Sequence, residues 1–348
     1  MGRAEVSRAR RRSRLTWLVA ALLVASPAAA IASAAPAPPA PPTAVALPHG
    51  DHLPSSMAAL GDSISQAFNT HADPASVPPV VDLTACPDGF GGLSGVPLDC
   101  PRNSWSTGTN PAVRSEYQRL VAAHPALRGH QANYAVTGAR VSDLARQAQL
   151  AVAQRAQFVT IEIGTNDVCA PTWADVTYLQ AFRAQFTSAM SILARSPAHP
   201  VIQVVSIPNV YRIWQLFHDD PNAQLRWGAA QVCQSLLANP TSTELGDVIR
   251  RLLIVSQVIS YNLIEADVCA HTPRCVTDAG AAFAWEFSSA DIATVANTGR
   301  ITNVPALALL PVFGPGIPNS TADYFHPSVI GQAAIAELAW PSSTFARR

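Results

Sequence analysis

Short apolar runs alternate along the chain with longer segments in which apolar residues recur at helical spacing. Short runs of this kind, closed by Gly, Asn or Pro, predict largely buried β-strands. The five predicted strands are Met57–Leu60, Gln131–Val136, Phe158–Ile163, Val201–Ile207 and Ala306–Val312. Pro311 weakens the last of them, because proline cannot donate a hydrogen bond to a strand ladder.

Five longer segments carry apolar residues every three or four positions, which is the period of an amphipathic helix. They are Val113–Ala123, Val141–Arg155, Tyr178–Arg195, Thr243–Ala266 and Ser328–Trp340. Within the fourth segment, Asp247, Arg250 and Arg251 are predicted on exposed faces. Because predicted strands alternate with predicted helices, the pattern indicates an α/β fold whose parallel sheet is covered by helices on both sides.

Two segments show neither period and are predicted as long loops, residues 70–104 and 269–303. Each contains two cysteines, and disulfides would tie both loops down. Ordered loops of this length often build a binding site on a rigid scaffold.

The first residues of the chain have the three-part pattern of a secretory signal peptide. Six arginines lie within residues 1–14, Leu15–Ala25 is apolar, and Ala32-Ser33-Ala34 offers an A-x-A cleavage site. A membrane anchor is the alternative, but Pro27 interrupts a stretch that is already short for a span. We therefore expect residues 1–34 to be removed and the mature protein to be secreted without a stable membrane anchor. The arginine pair Arg11-Arg12 does not decide between export routes.

The next segment, residues 35–54, is predicted to be a linker. Ala35–Pro48 consists largely of Pro and Ala, and proline lacks the N–H group that helices and strands need. Residues 55–348 are then expected to form one catalytic domain, and their length and 49% hydrophobic content are enough for a large core. We expect the mature chain to be a monomer.

The charged residues of the sequence exclude several classes of function. The sequence has no lysine, which excludes lysine nucleophiles, Schiff bases and the P-loop lysine. Cleavage after Ala34 leaves 17 arginines against 22 acidic residues, so the mature surface is mildly acidic. Nucleic acid is therefore not an expected partner, because it is bound by basic surfaces.

Six cysteines in an exported chain predict three disulfides. Sequence alone leaves fifteen possible connectivities open. Short loops cost the least entropy to close, so the favoured pairs are Cys86–Cys100, Cys169–Cys233 and Cys269–Cys275. A zinc site at Cys269, His271 and Cys275 is the alternative, but no second cluster with zinc spacing accompanies it. We expect no metal.

Polar residues follow three of the predicted strands. Gly61-Asp62-Ser63, Thr137-Gly138 and Gly164-Thr165-Asn166-Asp167 each come where a strand ends. In open α/β sheets these carboxyl ends form the ligand site. Asp323 and His326 precede the last helix, three residues apart, so a turn lets the carboxylate reach the imidazole.

These residues resemble the sequence blocks of the GDSL-type lipases and esterases of the SGNH hydrolase superfamily. The four blocks are Gly61-Asp62-Ser63-Ile64, Gly138, Gly164-Thr165-Asn166-Asp167 and Asp323-Tyr324-Phe325-His326. They occur in the family order over residues 57–340, with Ile64 in place of the usual Leu. Residues 103–108 bear a weaker resemblance to the phospholipase B branch. The resemblance implies a three-layer α/β/α, flavodoxin-like fold with about five strands in its central sheet.

The same resemblance implies a role for each residue of the four blocks. Ser63 would be the nucleophile, His326 the general base and Asp323 the residue that orients His326. The oxyanion hole would consist of the backbone N–H groups of Ser63 and Gly138 and the side-chain amide of Asn166. Asp62 and Asp167 are interpreted as structural caps of a turn or helix start, and no cofactor is expected.

The implied reaction is hydrolysis of a carboxylic ester through an acyl-enzyme. The expected substrates are lipid or short acyl esters, and the apolar stretch 214–217 either holds an acyl chain or belongs to the core. Phospholipase and carbohydrate deacetylase activity on the same site stay open as alternatives, as does a catalytically silent binding protein. The G-x-S-x-G and H-E-x-x-H signatures of other hydrolases are absent from the sequence.

Overall fold

The computed structural model describes residues 53–70, 98–298 and 322–346, together with residue 86 and the backbone of residues 72–73, 80–82 and 300–302. The expected signal peptide, nearly all of the linker and the predicted strand Ala306–Val312 lie outside these residues. The chain divides into residues 1–47 and 48–348, and the described residues all belong to the second unit.

Eight strands lie within the described residues and form two sheets. They are β1 (Met57–Gly61), β2 (Ala72–Asp73), β3 (Val80–Asp82), β4 (Gln131–Asn133), β5 (Phe158–Glu162), β6 (Val201–Val204), β7 (Cys275–Thr277) and β8 (Arg300–Thr302). The central sheet has the order β4-β1-β5-β6-β7, and every pair in it is parallel. The small sheet has the order β2-β3-β8. The central order is the flavodoxin-like one, in which the chain reverses its direction of growth beside β1.

Ten α-helices occur in the same part of the chain. They are α1 (Glu116–Ala123), α2 (Leu144–Ala153), α3 (Thr165–Val168), α4 (Leu179–Ala194), α5 (Tyr211–Phe217), α6 (Pro221–Ala229), α7 (Gln234–Leu237), α8 (Leu245–Ala270), α9 (Val295–Thr298) and α10 (Val329–Ala339). Helix α1 begins with a capping box, in which Ser115 and Gln118 satisfy each other's backbone N–H groups.

The core lies on both faces of the central sheet. All five residues of β1 and of β5 are buried, as expected for parallel strands that are covered on both sides. Leu60 and Ile161 belong to the larger cluster, which includes residues of α2, α4 and α8. Met57 and Phe158 point to the opposite face and pack with residues of α1. The expected α/β/α layering with a mostly parallel five-stranded sheet is confirmed.

One strand differs from the prediction. The fifth strand of the central sheet is β7, inside the segment 269–303 that was predicted to be irregular. It contains only three residues, all of them half-buried, so no long apolar run marks it in the sequence.

Two helical regions bear on the sequence analysis. For residues 214–217 the sequence left open an acyl-chain site or the core, and these residues lie in α5, where Phe217 is buried in the main core. Arg251 was predicted to be exposed, yet its side chain is buried. Its guanidinium lies 4.7 Å from the ring of Trp214 and donates to the carbonyl of Ser242, which offsets part of the cost of burying the charge.

Helix α8 is the only helix of the described residues that is long and apolar enough to cross a membrane. One of its faces packs against α4 and β7. The other exposes apolar residues that include Leu245, Leu252 and Leu263. Length and composition alone do not show a membrane span.

Candidate active site

Ser63 lies in the tight turn that follows β1. The turn requires glycine at position 61, where φ is +142° and a Cβ would lie 2.1 Å from the carbonyl oxygen of Glu162. The side chain of Gln147 bonds to both the N–H and the carbonyl of Gly61, at 2.7 and 2.9 Å. One carboxylate oxygen of Asp62 accepts the N–H of Ile64 at 2.9 Å. These contacts fix the backbone on both sides of Ser63.

Asp323 and His326 lie in a second turn, directly before α10. The Oδ1 atom of Asp323 accepts the backbone N–H groups of Phe325 and His326, both at 2.9 Å. Tyr324 has a left-handed φ of 57°, which closes the turn. The Oδ2 atom of Asp323 can therefore face the imidazole, and it lies 2.5 Å from Nδ1 of His326.

The two turns meet at the carboxyl end of β1. The Nε2 atom of His326 is 2.8 Å from the Oγ atom of Ser63. A continuous chain of hydrogen bonds thus joins Asp323, His326 and Ser63, in the arrangement that activates a serine hydroxyl. The ring of Phe68 lies 4.7 Å from the imidazole and covers part of it.

The contact between Asp323 and His326 shifts the pKa of both residues. Burial works to raise the pKa of Asp323, but the charge and hydrogen bond of His326 and the two backbone N–H groups outweigh it, so the pKa is lowered. Burial works to lower the pKa of His326, and the adjacent Asp323 reverses this, so that pKa is raised. Asp323 is therefore ionised and supports a positive charge on His326.

Gly138 and Asn166 follow β4 and β5, the two strands that flank β1 in the central sheet. The Nδ2 atom of Asn166 donates to the carbonyl of Ala139 at 3.0 Å and lies 3.3 Å from Asp62, the residue before Ser63. Gly138 is exposed, has a φ of +83° and would have no atom within 4 Å of an added Cβ. Both residues are accessible at this edge of the sheet, where an oxyanion hole would form.

Asp62 and Asp167 each accept a backbone N–H group beside the site. Asp167 accepts the N–H of Val141 at 2.8 Å and the hydroxyl of Thr177 at 2.7 Å. Burial raises the pKa of Asp62 to about 7 and that of Asp167 to about 6. Burial and the nearby Asp62 carboxyl also raise the pKa of Glu162 well above its usual range. A group of buried acids therefore lies beneath the site.

Two residues next to the site were not singled out from the sequence. Asn69 donates to Oδ2 of Asp323 at 2.5 Å, and Asp99 accepts the hydroxyl of Thr137 on its Oδ1 atom at 2.5 Å. Asn69 has a left-handed φ of 62°, a conformation that asparagine favours, but the sequence alone does not reveal its distant partner. Asp99 does not belong to any of the sequence motifs described above.

The structure joins the six cysteines in the pairs that short loops favoured: Cys86–Cys100, Cys169–Cys233 and Cys269–Cys275. Disulfides of this kind are compatible with an extracellular protein. No group of three or more His, Cys, Asp or Glu side chains within the described part of the chain could hold a metal ion.

Several known proteins are similar to this chain. LAE5, an α/β hydrolase from the metagenome of Lake Arreo in Spain, is 15% identical, with 82% of this chain and 94% of that chain covered and a TM-score of 0.44. The psychrotrophic esterase EstA from Pseudoalteromonas sp. is 12% identical, with coverages of 83% and 96% and a TM-score of 0.36. Phospholipase A1 from Streptomyces albidoflavus is 15% identical, with coverages of 83% and 99% and a TM-score of 0.35. No curated protein matches the chain.

A family model covers most of the chain. The model of the GDSL-like lipases and acylhydrolases matches residues 57–339, a range that contains both turns as well as Gly138 and Asn166. This range is far more than half of the 348 residues. The chain therefore belongs to the GDSL-like lipase/acylhydrolase family, and it is a carboxylic ester hydrolase.

Proposed function

We propose that the protein hydrolyses esters with Ser63 as nucleophile, His326 as general base and Asp323 as the residue that orients His326. The observation that carries this proposal is the unbroken hydrogen-bond chain, 2.5 Å from Asp323 to His326 and 2.8 Å from His326 to Ser63. The contact between His326 and Ser63 is within the range that proton transfer requires.

The proposed reaction has two halves. In the first, Oγ of Ser63 bonds to the ester carbonyl carbon while its proton passes to Nε2 of His326. The carbon–oxygen bond to the alcohol then breaks, and the alcohol leaves with the proton from His326. In the second half, water attacks the carbonyl carbon of the acyl-enzyme and gives a proton to Nε2 of His326. The bond from this carbon to Oγ of Ser63 then breaks, His326 returns the proton to Oγ, and the acid leaves.

The negative oxygen of each tetrahedral intermediate needs hydrogen-bond donors. We assign this role to the backbone N–H groups of Ser63 and Gly138 and to the side-chain amide of Asn166. The Asn166 amide donates to the carbonyl of Ala139 at 3.0 Å and to Oδ2 of Asp62 at 3.3 Å, and the longer bond to Asp62 is the one that a bond to the substrate oxygen would replace. Removing one such donor typically lowers turnover by about 10²–10³-fold.

The proposed substrates are lipid or short acyl esters outside the cell. The pattern of residues 1–34 and the three disulfides support secretion, followed by a linker and a single catalytic domain from residue 55. We also infer that the mature chain is a monomer without a membrane anchor. A phospholipid or an acetylated carbohydrate as substrate would use the same residues, and a substrate panel separates these cases.

The test uses the mature, oxidised protein. A fluorophosphonate probe is added and the adduct is mapped by mass spectrometry, while p-nitrophenyl esters of increasing chain length measure turnover. We expect the adduct on Ser63 and no hydrolysis by Ser63→Ala. The matched control is Ser256→Ala on the exposed face of α8, which should retain both labelling and turnover.

The outcomes separate the candidates. Labelling of Ser63 with loss of turnover in the variant supports the serine hydrolase, and the chain-length profile ranks esterase against lipase. A folded protein that is neither labelled nor active would overturn the proposal in favour of a silent binding protein.

A further inference from the structure

The short segment Leu98–Cys100 runs against the turn that carries Ser63. The N–H of Asn69 donates to the carbonyl of Leu98, and the N–H of Cys100 donates to the carbonyl of Gln66, both at 3.0 Å. The disulfide to Cys86 holds the end of this segment covalently. Residues 98–100 are therefore fixed to the nucleophile turn at both ends.

The side chain of Asn69, which lies beside this segment, reaches Asp323. Asn69 is almost completely buried, and its Nδ2 atom is 2.5 Å from Oδ2 of Asp323, the same oxygen that faces His326. With the two backbone N–H groups on Oδ1, both oxygens of Asp323 are held by fixed donors. Asn69 lies outside the Asp323 turn, so its amide ties that turn to the nucleophile turn.

The side chain of Asp99, which belongs to this segment, reaches the loop that contains Gly138. Asp99 is also almost completely buried, and its Oδ1 atom accepts the hydroxyl of Thr137 at 2.5 Å. Thr137 directly precedes Gly138. A second bond reinforces this link, because the side-chain amide of Gln66 donates to the carbonyl of Ala135 at 2.5 Å.

We propose that Asn69 and Asp99 are positioning residues, and that residues 98–100 couple the orientation of Asp323 to the placement of the Gly138 loop. This inference rests on the catalytic roles proposed above. Asn69 orients the carboxylate behind His326, and Asp99, through Thr137, holds the backbone N–H of Gly138 toward the substrate oxygen. Neither side chain touches the substrate. A displacement of about 1 Å in either group is enough to cost on the order of 10²-fold in rate.

The first test removes the Asn69 amide without straining the backbone. Glycine accepts the left-handed φ of 62°, so Asn69→Gly deletes only the side chain. We expect kcat to fall between about 10- and 100-fold, with KM changed much less. The matched control is Asn239→Gly, because Asn239 has a similar φ of 48° on an exposed loop and should keep full activity.

A charge test distinguishes positioning from mere stability. Asn69→Asp places a second carboxyl group against Asp323, at a distance where two carboxylates cannot both ionise and the pair shares one proton. The carboxylate that faces His326 then holds less negative charge, so the acid limb of the kcat/KM profile should move to lower pH, whereas Asn69→Gly should not move it downward. A purely structural role would lower the melting temperature of both variants and leave the two profiles alike.

The coupling is tested at Thr137. Thr137→Val removes the hydroxyl and should lower kcat, while Thr137→Ser keeps the donor and should restore it. Because both contacts act through residues 98–100, Asn69→Gly and Thr137→Val should be non-additive when combined.

The failure of this inference differs from the failure of the proposed function. If the unmodified protein is not labelled on Ser63, the proposed function is overturned and this inference with it. If Ser63 is labelled but Asn69→Gly and Thr137→Val react at the unmodified rate, or if their effects on kcat simply multiply, the coupling through residues 98–100 is overturned alone.

Discussion

Glu116 is a fully buried acid on the face of the sheet away from α8. It is the first residue of α1, and its Oε1 atom accepts the side-chain amide of Gln203 at 3.2 Å. Its Oε2 atom has no hydrogen-bond partner among the described residues. Replacing Glu116 by Gln keeps the shape of the side chain and removes the charge that forms at high pH.

The magnitude is set by the change in proton binding. Burial raises the pKa of Glu116 from its usual 4.5 to about 8, and the amide of Gln203 and the charge of Arg119 lower it only in part. The unfolded chain releases this proton near pH 4.5, while the folded chain keeps it until about pH 8. The stabilisation is therefore complete below pH 4.5 and is lost as the pH rises toward 8. Between pH 5 and pH 8 the loss is roughly 3–4 kcal/mol as an upper limit.

Urea unfolding with the disulfides intact measures this effect. The free energy of unfolding is determined at pH 5 and pH 8 for the unmodified chain and for Glu116→Gln. The other buried acids contribute equally to both proteins, so they cancel in the difference. We expect Glu116→Gln to gain stability relative to the unmodified chain as the pH rises.

The control for this measurement is Glu337→Gln. Glu337 is exposed and pairs with the same Arg119, whose hydrogen bond and charge lower the pKa of Glu337. Its replacement should therefore give no gain at pH 8. If the pH dependence of Glu116→Gln runs parallel to that of the unmodified chain, Glu116 is already ionised in the folded protein, and the argument from burial is refuted.

Three further variants test other parts of the structure. Gly138→Ala should fold and lose about 1–2 kcal/mol in urea unfolding, because its left-handed φ is strained but its Cβ meets no atom; failure to fold would contradict this. Asp323→Asn should lower the pKa of His326, moving the acid limb of the kcat/KM profile to lower pH, and should reduce kcat by about 10⁴-fold; an unchanged acid limb would contradict it. Cys169→Ser combined with Cys233→Ser opens a long loop and should cost roughly 4 kcal/mol in urea unfolding; unchanged stability would contradict it.

The fold could be predicted where long apolar runs end in small polar residues. Four strands of the central sheet were predicted at the correct places, although the structure ends each of the last three earlier than the pattern did. Strand β7 was missed because three half-buried residues at a sheet edge carry no periodic signal. Arg251 was misplaced for a different reason, since its burial depends on a Trp ring and carbonyls that only the folded chain brings to it.

The candidate site could be predicted as far as local spacing reaches. Asp323 and His326 are three residues apart, so one turn determines their contact, and each remaining block follows a predicted strand. Asn69 lies 254 residues from its partner Asp323, and Asp99 lies 38 residues from Thr137. Such contacts depend on how two turns approach each other, and neither propensity nor periodicity encodes that distance.

Two aspartates near Ser63 show why the site needs these distant contacts. Asp62 and Asp323 are both largely withdrawn from water, a setting that favours the neutral carboxyl. Burial raises the pKa of Asp62 to about 7 and the neighbouring Asp167 adds to it, although the N–H of Ile64, the charge of His326 and a hydrogen bond with Glu162 act against it. Asp323 has two backbone N–H groups, His326 and Asn69, and its pKa is lowered instead. The charge of His326 and the hydrogen-bond donors around each carboxyl group, rather than burial, therefore decide which of the two aspartates is ionised.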